Sequence, residues 1–459
     1  MQKVAKGGIA LVCALSFALT ACSGGQGGTK GSELSSGEAG AGSAGKHVTI
    51  EYWSIPIYQN VEGAPSPSSG EWEKMKIKQF EAQNPQIKIN FQLLPFDQSQ
   101  NKIGIAVAGN NAPDVVLESV DRVLMKYVES GKSEPIGDFI EDVKSDFNPE
   151  MLKKVTRDGV IYGIPVTLNP EYFFLNKALF KAKGLENLIP KDNRMWTIEE
   201  MQDALKRVSG NGVYGTAMWA ANEQGDEMNL MRLFGMGAEQ WDESSTKIVL
   251  DQYPQAVDGL SQLVSMLDQG IVAPGPATTA ALDAVELFKQ NKIAMIPFAN
   301  GLWSLVEDGK KDGSTDPRVE MFGMAPPHAK GVVPKVASAI HGYQVFKQND
   351  PVKREAVKKF VRFMIQPEHV KAVSKSGNYV PSRQSASYRY DNPEIQAAMD
   401  VVSKLPLANT GVSSPYFLDV RKMWYPELQA ILLKKKSPEQ ALKDYAKKAN
   451  DFLAEKQRR

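Results

Sequence analysis

Seven aromatic side chains sit where a binding surface could use them: Trp53, Tyr172, Trp219, Trp241, Trp303, Tyr343 and Trp424. Glu118, Asp121, Asn222, Glu223, Asn300 and Arg383 fall in or beside the same predicted loops. Flat rings offer faces to apolar C–H surfaces, and amides or carboxylates read hydroxyl groups. Such a set serves noncovalent recognition, for which a carboxylate needs geometry and desolvation rather than a shifted pKa. Covalent chemistry is poorly supplied. The two cysteines, Cys13 and Cys22, both precede the folded body, which therefore has no disulfide, thiolate metal site or cysteine nucleophile. His47, His328, His341 and His369 are scattered without metal-ligand spacing, and neither a P-loop nor a G-x-S-x-G elbow occurs. No catalytic residue, metal ligand or cofactor is expected. Paired carboxylates need only spatial proximity, so a carbohydrate-active enzyme stays open as an alternative.

The 459 residues carry 54 Lys and Arg against 53 Asp and Glu, a formal charge of +1. That balance gives no bulk electrostatic reason to bind nucleic acid. The basic run Lys434-Lys435-Lys436 and the C-terminal tail read as solvated helix faces. The N-terminus has an address pattern: Lys3 and Lys6 precede a mostly apolar stretch over 7–21, too short to span a bilayer. It ends Leu19-Thr20-Ala21-Cys22, which resembles the lipobox of bacterial lipoproteins. The resemblance implies a signal peptide over 1–21, cleavage before Cys22, a diacylglycerol thioether on its sulfur and acylation (palmitate) of its amine. Residues 23–46 hold nine Gly and five Ser, too little apolar surface to fold, and read as a tether.

The body must position the recognition residues with alternating strands and helices. Val48, Ile50 and Tyr52 alternate with polar or outward residues; Ile87, Ile89, Phe91 and Leu93 repeat the period; Val115-Val116-Leu117 reads as a short buried strand. Helices are expected around Trp72, Met75 and Phe80, stopping at Asn84-Pro85, and over 98–108. Strands separated by helices predict a parallel, doubly wound α/β sheet, whose ligands bind beyond the strands' carboxyl ends. That puts 53–57 and 118–121 at one rim. Thr197-Ile198-Glu199-Glu200 is a capping box, and Ser437-Pro438 opens a C-terminal helix. Trp72, on a helix stripe, and Trp196, ahead of a cap, read as packing residues, and Asp114 as a turn brace.

A series of short segments resembles the extracellular solute-binding proteins of ABC importers, in the carbohydrate-binding family that includes maltose-binding protein. Ala112-Pro113-Asp114-Val115-Val116 is similar to the family's lead into a first-lobe strand, and Asp158-Gly159-Val160-Ile161-Tyr162-Gly163-Ile164-Pro165 to its "DGKxYGxP" hinge strand. Phe174-Leu175-Asn176-Lys177-Ala178-Leu179-Phe180 is similar to "YNKxLF", and Trp196 to Glu200 to the "TWxE" helix start. Leu287 to Met295 resembles "FxxGKxAM", Asn300-Gly301-Leu302-Trp303 resembles "GSW", and Gly342-Tyr343, Val380-Pro381 and Arg383 follow in order. Leu175 for Tyr, Leu302 for Ser and His341 for the first Gly of "GGxxW" are departures, the last two expected in cleft loops.

The resemblance implies an α/β, two-lobed, periplasmic-binding-protein-like fold with a ligand cleft between lobes joined by hinge crossings. The crossings are expected near Gly163 to Pro165, Pro297 and Val345. Lobe one would then be 47–163 with 298–344, and lobe two 166–296 with 346–459. The expected ligand contacts are Trp53, Glu118, Tyr172, Trp219, Asn222, Trp241, Asn300, Trp303, Tyr343 and Arg383. The implied function is a lipid-anchored receptor, monomeric and on the extracytoplasmic face of the cell membrane. It would bind a sugar and deliver it to the permease subunits of an ABC importer, with the ATPase reached indirectly. A receptor for a non-sugar solute is the main alternative, because fold does not fix ligand.

Overall fold

The computed structural model describes residues 47–95 and 98–458. The expected leader, Cys22 and tether lie outside them. The predicted strands form as β1 (Val48–Ser54), β2 (Ile87–Leu93) and β3 (Val115–Ser119), parallel, with β1 in the middle. Eight more strands follow: β4 (Thr156–Arg157), β5 (Val160–Ile161), β6 (Gly163–Asn176), β7 (Tyr214–Thr216), β8 (Ile293–Ala299), β9 (Met321–Met324), β10 (Ala337–Val345) and β11 (Val380–Pro381). The main sheet runs β2-β1-β3-β10-β6-β8-β7, with β9 and β11 also paired to β6.

Local chemistry explains the element ends. The helix Glu71–Gln83 stops at Asn84, because Pro85 disfavours a helical residue before it. At the helix Ile198–Val208, Thr197 Oγ1 accepts from the Glu200 N–H at 3.2 Å, and Glu200 Oε2 accepts from the Thr197 N–H at 2.8 Å. That reciprocal cap aims Ile198, Met201, Leu205 and Val208 at the core. Trp72 and Trp196 are buried as packing residues, the Trp196 indole donating to the Leu188 carbonyl at 2.8 Å. Asp114 braces β1: its Oδ2 accepts from the Glu51 N–H at 2.8 Å.

The apolar side chains form two large cores. One gathers Ile50, Tyr52, Leu117, Ile164, Tyr343, Phe360 and Val373. The other gathers Phe174, Trp219, Met231, Ile296, Trp303, Met324, Trp424 and Tyr445. β6 belongs to both: Ile164, Val166 and Leu168 enter the first core, Tyr172 to Leu175 the second. β10 runs beside it antiparallel and also changes core, from Ala337 to Ile340. Gly342 lets the two strands meet, since a Cβ there would stand 2.5 Å from the Ile164 carbonyl oxygen, beside a register shift at His341.

The two apolar cores follow a different line from the expected lobe bounds. At Pro297, β8 lies along the second-core half of β6, and Leu302, Trp303, Val306, Phe322 and Met324 pack in that core. β6 changes core beyond Leu168, and β10 changes core near its start, between Ala337 and Ile340. Within 346–386, Phe360, Val361, Val370 and Ala386 pack in the first core, and Val380 touches both. The chain rejoins the second core through Tyr390 and Ile395.

Candidate functional site

The parallel strands give each half a rim. In the first half β1 and β3 end at Ser54 and Ser119, and in the second β7 and β8 are parallel and end at Thr216 and Ala299. Loops at carboxyl ends of such strands are where ligands bind. The helix Phe417–Leu432 spans the two rims, packing against the helix Val120–Glu129 of the first and the turn Glu223–Gly225 of the second. The candidate site is the seam between these rims. Open cavities of about 380 and 340 Å³ lie elsewhere, one between the helix Glu71–Gln83 and β2, the other between the helices Ile198–Val208 and Pro254–Asp268.

On the first rim, Trp53 is half-buried on the sheet face opposite Tyr52, packed against the small cluster of Ile103, Val116 and Tyr127. Glu118 shares that side and is 2% exposed, its Oε1 accepting from the Ser119 N–H at 3.0 Å. Burial first, and the Glu118 carboxylate second, push the Tyr127 phenol up to about 12.

On the second rim, the structure brings Tyr172, Asn300 and Trp303 together. The Trp303 indole N–H donates to Tyr172 Oη at 2.6 Å, Tyr172 Oη donates to Asn300 Oδ1, and Asn300 Nδ2 donates to the Asn378 carbonyl. Tyr172 stacks on Phe174 with centroids 4.6 Å apart, and Trp303 meets Phe174 edge-on at 5.5 Å. The expected turn at Asn300-Gly301 leads straight into the helix Leu302–Asp312, so Trp303 points inward and is 3% exposed. It is a packed, hydrogen-bonded side chain, not an open platform. Leu302 is likewise core, and His341 is in a strand rather than a loop, its Nδ1 3.1 Å from Thr167 Oγ1.

Trp219 is buried near Phe298, with ring centroids 6.4 Å apart. Its carbonyl accepts from Asn229 Nδ2 at 2.8 Å, while Trp219 Nε1 and Asn229 Oδ1 are buried without a hydrogen-bond partner. A donor and an acceptor thus stand unused on two bonded residues. Asn222 is half-buried just before the turn Glu223–Gly225. Trp241 is buried beneath Gly411, whose φ is +85° and whose absent Cβ would sit 2.1 Å from the indole ring.

Two expected contacts are structural. Arg383 Nε donates to Asp146 at 2.7 Å and its Nη1 to the Ile365 carbonyl at 2.8 Å, so its guanidinium ties the Asp146 turn to the end of the helix Pro351–Met364. Tyr343 lies on the inward face of β10 in that core, 6.1 Å from the Tyr52 ring, and burial pushes its phenol pKa up.

The reading of the sequence missed Arg421. Its Nε and Nη2 make a bidentate pair with the nearly buried Asp226 at 3.0 and 2.8 Å, and Nη2 also reaches the Glu223 carbonyl at 3.0 Å. This clamp holds the Glu223–Gly225 turn to the helix that spans the rims. The signal was present as Gly411 and Ser413-Ser414-Pro415, turn residues ahead of an aromatic helix start. Among the described residues no group of His, Cys, Asp or Glu could hold a metal ion, and no helix is long and apolar enough to cross a membrane.

The arrangement therefore offers two α/β halves with two strands passing between them. Residues 76–401 match the family model described as bacterial extracellular solute-binding protein. A binding protein of Brucella abortus is 26% identical over 393 residues, covering 84% of this chain and 91% of the relative. An ABC substrate-binding protein of Listeria monocytogenes, solved with cycloalternan, superposes with a TM-score of 0.68 at 22% identity, over 89% of this chain and 100% of that one. Maltose-bound MalE3 of T. maritima gives 0.70 at 20%, over 88% and 100%. UgpB of Mycobacterium tuberculosis, solved with glycerophosphocholine, gives 0.71 at 17%, over 91% and 100%. These likenesses carry the two-lobed fold. With the family model spanning well over half of its length, the chain belongs to the bacterial extracellular solute-binding proteins.

Proposed function

We propose that this protein is a lipid-anchored receptor that captures a saccharide in the seam between its lobes and passes it to the permease of an ABC importer. The observation that carries the reading is the seam itself. β6 and β10 pass between the two cores, and the segments beyond the carboxyl ends of β3 and β7 carry Glu118 on one side and Trp219, Asn222 and Asn229 on the other, with the Trp219 indole N–H unused. A ring with hydroxyl edges and apolar faces needs that mixture. The lobes are read as the two apolar cores, rotating about the strands they share so that the seam opens to solvent. The cycloalternan and maltose bound by the neighbouring structures support a sugar as the solute.

A second reading, a phosphodiester-type solute, has support from the glycerophosphocholine in UgpB. A thermal-shift screen tests both, since a ligand at 100 times its Kd stabilises by about 2.7 kcal/mol. A saccharide hit supports the first reading, and a glycerophosphocholine hit alone replaces it. Recovery of the saccharide intact separates a receptor from a carbohydrate-active enzyme. Anchoring rests on Leu19 to Cys22. Cys22→Ala is expected to yield protein without lipid label, and normal labelling of that variant would refute the anchor.

A further inference from the structure

The first core contains a carboxyl that the seam does not use. Glu73 lies in the first turn of the helix Glu71–Gln83 and is fully buried. Ser54 Oγ donates to its Oε1 at 3.4 Å, a long bond, and the Tyr52 and Tyr58 hydroxyls are close enough to couple to it electrostatically. Glu73 Oε2, Tyr52 Oη and Tyr58 Oη are each buried without a hydrogen-bond partner. One acceptor and two donors are thus unused in one buried cluster.

Among the described residues no cation is paired with the carboxyl, and Lys74 acts on it only weakly from outside. Lys74, the next residue, is exposed and bonded to Glu71 at 2.7 Å. Lys76 lies over the Trp72 ring. His369 meets the other side of that region, edge-on to Trp72, with its Nδ1 2.7 Å from the Phe363 carbonyl. From β10 and the segment before β11, the groups that face the cluster are the phenols of Tyr343 and Tyr379, and burial pushes Tyr379 up to about 12. Burial outweighs the backbone N–H of Glu73, the Ser54 hydroxyl and the backbone N–H of Gly70, which favour the carboxylate, and the group takes up a proton.

We propose that Glu73 is a buried proton-binding site that holds its proton in the present packing of the segment 54–70 and loses it as that segment re-seats. One proton leaves the carboxyl for a base in the solvent, and no other covalent bond changes. After ionisation the Tyr52 and Tyr58 hydroxyls supply the donors that Oε2 lacks. Tyr58 belongs to the loop leaving β1 at the first rim, so the rim re-seats with the proton. Burial raises the Glu73 carboxyl to about 7, placing the change near neutral pH. The folded chain then holds a proton that the unfolded chain has lost. This group's stabilisation is full below about 4.5 and is lost as pH rises through about 7. His369, held below its ordinary value by burial, contributes with the opposite sign. The site stands whichever solute the seam takes.

Infrared difference spectra and thermal melts of the unliganded protein, wild type and Glu73→Gln, over about pH 5.5 to 8.5 test it. The wild type is expected to keep a protonated-carboxyl C=O band at the acid end and lose it with a midpoint near 7, and the variant to lack the band. The wild-type melting temperature should fall relative to the variant's as pH rises. A wild-type band already gone at the acid end, or identical pH dependence in both proteins, overturns the proposal. Should Glu73→Gln fail to fold, the wild-type titration decides by itself.

Discussion

Truncating Trp303 separates a packed residue from a ligand platform in one experiment. Its side chain is 3% exposed, sits edge-on to Phe174, and spends its one polar atom on Tyr172 Oη at 2.6 Å. Trp303→Ala removes that volume next to Gly323, whose absent Cβ would lie 3.2 Å from the indole, so the site has little room to collapse unaided. Large-to-small changes of this kind cost about 3–5 kcal/mol. For a body of this size, at about 2.1 cal/mol/K per residue, that is a fall in melting temperature of roughly 3–6 °C. Trp303→Phe keeps most of the ring and loses the hydrogen bond, and should cost about 1–2 kcal/mol. Differential scanning calorimetry without ligand reads both values. If Trp303→Ala melts like the wild type while solute affinity collapses, the indole faces solute in the open protein and the packing argument fails.

The bidentate pair between Arg421 and Asp226 supplies a second prediction. Arg421→Met leaves a nearly buried Asp226 uncompensated and should cost about 3–5 kcal/mol in denaturant unfolding, with the Glu223–Gly225 turn loosened. A variant within about 0.5 kcal/mol of the wild type would show that the pair is not held. The acid limb supplies a third. Arg354 holds the Asp138 carboxyl down at about 2, so the unfolded chain binds its proton first as pH falls. This stabilisation is present above about 3.8 and lost as pH drops toward 2; solvent screening at the 41% exposed Asp138 limits it to about 1 kcal/mol. Arg354→Met should move acid unfolding to higher pH, and an unchanged acid midpoint would refute it.

What could be read from the sequence was whatever local chemistry decides. The period-2 alternation of β1 and β2, the stop at Asn84-Pro85 and the Thr197 capping box all sit within a few residues of their signals. The crossings did not, because β6 is 14 residues of nearly uniform burial. Nothing in its pattern says where one core ends and the next begins; that depends on β10, β8, β9 and β11 arriving from far along the chain. Arg383 looked available because its partner Asp146 is 237 residues away. Trp303 looked exposed because Asn300-Gly301 reads as a reversal, whereas Asn300 is fixed by Tyr172 and the Asn378 carbonyl and leads into a helix. The Arg421 clamp was overlooked for the same reason as Asp146: its partner Asp226 lies 195 residues upstream.

Titration calorimetry of a non-lipidated Cys22→Ala protein against linear and cyclic saccharides, with glycerophosphocholine alongside, tests the central claim most directly. The account predicts a saturable one-to-one isotherm with at least one saccharide and a negative heat-capacity change, as apolar surface is buried in the closing seam. Saturable binding of glycerophosphocholine with no heat from any saccharide would contradict it.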